Sequence, residues 1–384
     1  MIESAAADSV HDVATENNPQ KNRHSRWSTS PGFRETVLLA IVTGSVFVST
    51  ILLFKNYHAT VESFGDSPAY ESVAAAIQHW NFDGLQIKQF WGFSYAIASV
   101  AELTRLSSAT SLLLVSFLSS LASVVLAYRL WGGWIAALFC VLNFDWLQRS
   151  YLGGSEPPSV ALIFGALLAV RYDRRVLAAL LAALSTVVRP LGIFCLIAIG
   201  IELLYRREYR RFAMAFAIGC VIGALYVLPF TLHFGDPLAT VHSYIGDSRP
   251  LFGIPFYAII EGAVSYPFTM TSMALSFCWI GLVVVALIVM LRSSQFSEYA
   301  RQYPVEVLFA VPYILLVTCY NYPVFARSNF SRFVIPALPM VFIALYRWIP
   351  KDRRIIWALS VVSPVLAACS AIGIRNVARL LRMH

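Results

Sequence analysis

The chain alternates long apolar runs with short arginine clusters, and that pattern restricts it to a membrane fold. The runs fall at 36–54, 109–129, 133–149, 156–170, 176–188, 190–205, 212–231, 268–291, 304–320, 332–347 and 355–373. Hydrophobic residues make up 58% of the chain and charged residues only 13%, against about 25% charged in a soluble domain. With no water in the bilayer core, each spanning segment must satisfy its own backbone, which helices do. The expectation is an all-α polytopic membrane protein with about 11 transmembrane helices. The net charge of +8 sits mainly between the runs, as orientation-setting charges do, so nucleic-acid binding is not needed to explain it. The six cysteines, Cys140, Cys195, Cys220, Cys278, Cys319 and Cys369, lie in apolar runs without a C-x-x-C spacing, which reads as small buried side chains.

Lys21, Arg23, Arg26 and Arg34 precede the first run and place the N-terminus in the cytoplasm. Residues 1–34 read as a disordered cytoplasmic tail, and 36–54 as an uncleaved first span rather than a signal peptide. Three further clusters are assigned to the cytoplasm: Arg171, Arg174 and Arg175; Arg206, Arg207, Arg210 and Arg211; and Arg347, Lys351, Arg353 and Arg354. The parity closes when 90–106 does not cross. A single domain, 35–374, then carries external segments at 55–108, 232–266 and 321–331, the first holding two interfacial helices at 68–80 and about 85–105. The basic tail 375–384 ends up outside by this count, against the charge rule. Within the first external segment, Ser67 is expected to cap a helix with Pro68 in its first turn, and Val73, Ala76, Ile77 and Trp80 share one face.

This topology gathers ionisable groups at the outer face: Asp66, Glu156 beside Ser155, Arg189 at a hairpin tip, and Arg327 and Arg332 by the third external segment. Ionisable groups near membrane depth are expensive and mark function by default. A carboxylate can take a proton from an attacking hydroxyl. An arginine can grip a phosphate with two parallel hydrogen bonds and stabilise charge on a departing one. Together they suit transfer from a lipid-linked phosphate donor. Plainer readings stand beside each residue: Asp66 as a helix-start residue, Glu156 as an acid favoured by the helix dipole, and Arg189 and Arg332 as snorkelling anchors. His233 and His242 lack metal-ligand spacing, and Asp236-Pro237 reads as a turn.

The order of motifs resembles a family. Asp66-Ser67-x-x-Tyr70 follows the first span; Tyr128-Arg129-Leu130-Trp131-Gly132, Tyr151-x-x-x-Ser155-Glu156-Pro157, Val188-Arg189-Pro190-x-Gly192 and Ser331-Arg332-Phe333-x-Ile335-Pro336-x-Leu338-Pro339 come after it. This series resembles the GT-C superfamily of membrane glycosyltransferases, which use polyprenyl-phosphate-linked sugars. Within it, the spacing is similar to bacterial mannosyltransferase-like members and to the GPI mannosyltransferase group called PIG-V. Two stretches depart from the pattern. Asp66 is followed by Ser67 where many members carry an Asp-Asp or Asp-Glu pair, and Phe90-Trp91-Gly92-Phe93-Ser94-Tyr95 stands where many have a Pro-Leu-Tyr-Pro-like stretch.

The resemblance implies a GT-C-like fold and an inverting hexosyl- or mannosyltransferase-like activity. A sugar would pass from a polyprenyl-phosphate donor to a lipid, glycan or protein acceptor at the external face. It implies Asp66 and Glu156 as the catalytic acids and Arg189 and Arg332 as donor-phosphate ligands. Tyr70, Tyr151, Ser155, Arg327 and His242 are further substrate-binding candidates. A divalent cation is left open, with no convincing metal site. The setting is a bacterial inner membrane, with an ER membrane as the alternative. The rival functions are a transporter or lipid flippase, a polysaccharide polymerase or ligase, and a noncatalytic assembly subunit.

Overall fold

The computed structural model describes residues 66–85, 89–245, 252–258, 260–261, 270–321, 330, 332–348, 352 and 354–365, with most of 41–52. The expected tails at 1–34 and 375–384, residues 55–65 and 86–88 of the expected first external segment, and Arg327 lie outside the described residues. Among the described residues every regular element is helical, apart from one isolated antiparallel bridge between Phe252 and Tyr320.

The segment after the first apolar run folds into α1 (Ser67–His79) and α2 (Gly92–Thr104), which pack on each other. Thirteen residues make about 20 Å of helix, short of the roughly 30 Å hydrocarbon core. Then come α3 (Ser108–Trp131), α4 (Gly133–Leu142), α5 (Phe144–Leu152) and α6 (Glu156–Arg171). A hairpin follows: α7 (Arg175–Val188), a 3₁₀ turn at Pro190–Gly192, and α8 (Ile193–Tyr205). After it come α9 (Tyr209–Phe234), α10 (Ala239–Ile245), α11 (Met270–Arg292), α12 (Ser294–Gln302) and α13 (Pro304–Cys319). A 3₁₀ turn at Ile335–Ala337 leads into α14 (Leu338–Ala344), and α15 (Arg354–Val365) closes the described chain.

The protein is an integral membrane protein. α3 and α9 are each long and apolar enough to cross a bilayer, and two bent pairs pass the same test together, Asp145–Leu152 with Glu156–Arg171 at 107° and Phe277–Arg292 with Ser294–Gln302 at 81°. The remaining apolar helices are shorter.

Three local expectations change. The run 133–149 is not one helix: Asn143 interrupts it, with extended backbone, and its Oδ1 accepts from the backbone N–H groups of Asp145 (2.9 Å) and Trp146 (3.2 Å) to start α5. The run 332–347 tightens into a 3₁₀ turn and a seven-residue helix, because Pro336 and Pro339 remove backbone donors within it. Ser67 does not cap α1. Asp66 holds the cap position with helical backbone and no capping side-chain bond, and the Ser67 hydroxyl points away to the α5–α6 elbow.

α6 organises the core and packs against both α3 and α7. Ser116, Ser120, Ser123 and Ala127 line the buried face of α3 at helical spacing, and such small side chains let two helices approach closely. At the end of α6 away from Glu156, Glu306 of α13 is buried among donors. It accepts from Arg171 Nε (2.6 Å), Arg171 Nη2 (3.1 Å), Trp131 Nε1 (2.8 Å) and the Tyr299 hydroxyl. The Arg171 guanidinium also lies 3.9 Å over the Tyr303 ring. This cluster ties α3, α6, α12 and α13 together. Glu306→Ala would leave the part-buried Arg171 without its carboxylate, an expected loss of about 3 kcal/mol. Thermal unfolding in detergent should show it as a large drop in midpoint; a wild-type melting curve would contradict the lock.

Candidate active site

The site forms at the elbow between α5 and α6, where the chain turns through Gly153 and Gly154. Gly153 has a φ of +92°, which favours glycine. The serine stripe of α3 holds this elbow: Ser116 exchanges long hydrogen bonds with the Gly154 backbone (3.4 and 3.5 Å), and Ser120 Oγ lies 2.7 Å from Ser150 Oγ. α1 is pinned from the other side. Ser67 Oγ lies 3.0 Å from the Leu152 carbonyl oxygen and 3.1 Å from that of Gly153. The Tyr70 hydroxyl donates to Ser155 Oγ at 3.0 Å, and Ser94 of α2 donates to the Tyr70 carbonyl at 3.0 Å. At the start of α2, Gly92 lies so close to the Val187 backbone that no side chain would fit. That approach sets the end of α7 and therefore Arg189. Arg332 is fixed through its neighbour, because the Tyr313 hydroxyl donates to the Phe333 carbonyl at 2.8 Å.

These contacts bring four residues, distant in sequence, into one ionic network. Glu156 Oε1 accepts from Arg189 Nη1 at 2.5 Å and from Arg332 Nε. Arg332 Nη2 reaches Asp66 Oδ2 at 2.8 Å, so one guanidinium spans both acids. Arg189 Nη1 also donates to Ser155 Oγ at 3.2 Å. The Glu156 side chain is 1% exposed and that of Asp66 36%, so Glu156 forms the floor and Asp66 the opening. The second Glu156 oxygen is buried and accepts no hydrogen bond among the described residues. Burial alone would raise the Asp66 pKa; the guanidiniums of Arg332 and then Arg149 outweigh it and hold the carboxyl below its usual value.

Asp66, Tyr70, Ser155, Glu156, Arg189 and Arg332 therefore share the elbow. One candidate sits elsewhere, since His242 pairs with Asp236 at 2.7 Å on an exposed surface, whereas Tyr151, in the last turn of α5, packs at the margin of the main core. Among the described residues no group of three or more His, Cys, Asp or Glu is placed to hold a metal ion.

Arg149 was missed. It is buried on α5, and its charge acts on Arg332, Glu156 and Asp66. A signal existed, because Asp145, Gln148 and Arg149 interrupt an apolar run. Its side chain and Glu156 meet over Gly154, where an added Cβ would lie 2.6 Å from Glu156 Oε2 and 2.7 Å from Arg149 Cδ. Gly154→Ala should accordingly cost about 1–3 kcal/mol through overpacking. Gly223→Ala, where nothing lies within 4 Å, should be neutral or slightly stabilising in the same thermal assay. Equal effects of the two would contradict the packing at the elbow.

No protein-family model and no curated protein sequence matches the chain. Among solved structures, the crystal structure of ArnT from Cupriavidus metallidurans bound to undecaprenyl phosphate aligns over 87% of this chain and 63% of that one, at 15% identity and a TM-score of 0.50. The chain has the ArnT fold. This all-helical architecture agrees with the fold expected from the motif order. The apo ArnT structure aligns with the same coverage at 14% identity and a TM-score of 0.47. The chain spans less than two thirds of the length of these ArnT chains.

Proposed function

We propose that this protein is a membrane glycosyltransferase that moves a sugar from a polyprenyl-phosphate-linked donor to an acceptor hydroxyl at the external face. The observation that carries this reading is the single network of Asp66, Arg332, Glu156 and Arg189, open at Asp66, within an ArnT-like fold. The ArnT structure with undecaprenyl phosphate supports a polyprenyl phosphate as the lipid carrier here.

Asp66, the most exposed acid of the network, takes the proton of the acceptor hydroxyl as its oxygen attacks the anomeric carbon. The bond between that carbon and the phosphate oxygen breaks, and the electron pair leaves with the polyprenyl phosphate. Arg332 and Arg189 neutralise the charge that develops on it. Attack opposite the leaving group inverts the anomeric centre. Glu156 holds both guanidiniums at fixed spacing through its Oε1. Among the described residues Asp66 and Glu156 are both engaged by arginines rather than grouped as metal ligands. The motif resemblance favours a hexosyl donor of the mannosyl type, with a lipid, glycan or protein acceptor.

The test is transfer from a labelled polyprenyl-phosphate-sugar pool by membranes holding wild-type protein or Asp66→Asn at matched abundance. Product that depends on donor and disappears in the variant supports the enzyme. Equal product from both contradicts it.

A further inference from the structure

α6 has two polar ends. Glu156 starts it at the site, and Arg171 ends it in the Glu306 cluster; its 16 residues make about 24 Å of helix, most of a hydrocarbon core. α7 returns across that distance, from Arg175 to Arg189 beside Glu156. The turn between α6 and α7 therefore lies at the face opposite the site. α12 marks the depth of that face. It bends by 81° from the span before it, buries Phe296 and Tyr299, and exposes Gln295, Glu298 and Arg301, as a helix lying along a membrane surface does. Arg171 Nη2 lies 3.3 Å from the Tyr299 hydroxyl, which sets α12 beside the end of α6.

At this face, residues 171–175 and 202–211 carry seven arginines against three acids. The acids tie the turns together. Glu202 of α8, almost fully buried, pairs with Arg175 of α7 at 2.7 Å and with Arg206 at 2.6 Å. Asp173, in the turn between α6 and α7, pairs with Arg175 and with Arg211 of α9, both at 3.2 Å. Glu208 pairs with the same Arg211 at 2.9 Å. Three arginines are left over. Arg174, Arg207 and Arg210 are exposed and have no acid partner among the described residues. Tyr172, Tyr205 and Tyr209, from 63% to 88% exposed, stand among them.

We infer that Arg174, Arg207 and Arg210 form a docking surface for the phosphate headgroups of anionic phospholipids in the leaflet opposite the site. Charges that only set the orientation of a span need no fixed arrangement. These three are carried on two turns that ion pairs tie across α7, α8 and α9. Their guanidiniums suit phosphate oxygens, and tyrosine rings settle at headgroup depth. The excess positive charge selects an anionic headgroup over a zwitterionic one. The length of α6 keeps this surface apart from Arg189 and Arg332, so the inference does not rest on the transferase reading. A lipid held here bridges the two turns and stabilises the folded protein, because it binds that state and not the unfolded one.

The experiment unfolds the full chain thermally in nonionic detergent while phosphatidylglycerol, or phosphatidylcholine in the control, is added. Wild type should gain stability with phosphatidylglycerol in a saturable way and little with phosphatidylcholine, and the apparent affinity should fall as salt rises. The triple variant Arg174→Gln, Arg207→Gln, Arg210→Gln should melt as wild type does without lipid, because the three side chains have no acid partner to lose. It should bind phosphatidylglycerol on the order of 100-fold more weakly, about fivefold per arginine. Lysine at all three positions keeps the charge and should keep most of the response; a lysine variant as weak as the glutamine one overturns a role through charge. Equal phosphatidylglycerol responses of wild type and the glutamine variant overturn the inference, as does a wild type that responds equally to both lipids. If the triple glutamine variant fails to accumulate because lost charge disturbs its orientation, Arg174→Gln alone and Arg207→Gln with Arg210→Gln decide. Weaker phosphatidylglycerol binding in both supports the surface, and wild-type binding in either overturns it. None of these readings requires donor turnover, so they stand or fall separately from the transferase.

Discussion

Asp66→Asn should lower transfer by about 10²–10⁴-fold, the usual contribution of a positioned general base, while the protein accumulates and folds as wild type does. Asparagine matches aspartate in shape, and its side-chain oxygen can still accept the hydrogen bond from Arg332 Nη2. What it loses is the ability to take a proton. The pH dependence supplies a second readout. Because Arg332 and Arg149 outweigh the effect of burial and lower the Asp66 pKa, the free protein keeps this carboxylate charged below the ordinary aspartate range of about 3.9. The acid limb of kcat/KM, which reports the free enzyme, should lie at correspondingly low pH. The same sign holds for stability: the contribution of the Asp66–Arg332 pair is present above the unfolded pKa and is lost as pH falls through the lowered folded one. A variant with nearly wild-type turnover would remove Asp66 from the chemistry.

Glu156→Gln should have the larger structural effect. Glu156 Oε1 is the shared acceptor of Arg189 and Arg332, and the Glu156 side chain is almost fully buried. Removing its charge leaves the two guanidiniums facing each other with Asp66 as the remaining acid of the network they share, at an expected cost of about 3–5 kcal/mol. Thermal unfolding in detergent should show the loss directly, and transfer should fall as well, because Arg189 and Arg332 lose the carboxylate that spaces them. Glu156→Asp keeps the charge but shortens the side chain; it should recover stability in part and transfer less well, because transfer depends on where the guanidiniums sit. If Glu156→Gln unfolded at the wild-type temperature, Glu156 would not be the floor of the site.

The acids and arginines of the site were legible in the sequence because membrane proteins seldom place such groups near hydrocarbon without a reason. Asp66, Glu156, Arg189 and Arg332 stand out against apolar neighbours, and tertiary structure joins them although they are spread over most of the chain. Arg149 was hidden by the same averaging that reveals spans. Across 133–149 the apolar residues dominate, so the break at Asn143 and the polar face of α5 read as one continuous run. The signature was local: Asn143 is followed by Asp145 at a helix start, as capping and the helix dipole favour. Ser67 failed in the opposite direction. A serine before a proline reads as a cap, but its hydroxyl serves the Leu152 and Gly153 carbonyls, more than 80 residues away in sequence, and no local pattern encodes that contact. The serine stripe of α3 is helically periodic, but serine is neither apolar nor charged, so neither hydropathy nor charge marks it out.

The most direct measurement is the release of free polyprenyl phosphate by purified protein in proteoliposomes, counted against sugar transferred to an added acceptor. One polyprenyl phosphate released per sugar transferred, with neither formed by Asp66→Asn, is the expected result. Movement of intact donor across the bilayer, without phosphate release and equally with Asp66→Asn, would contradict the transferase account and establish a transporter in its place.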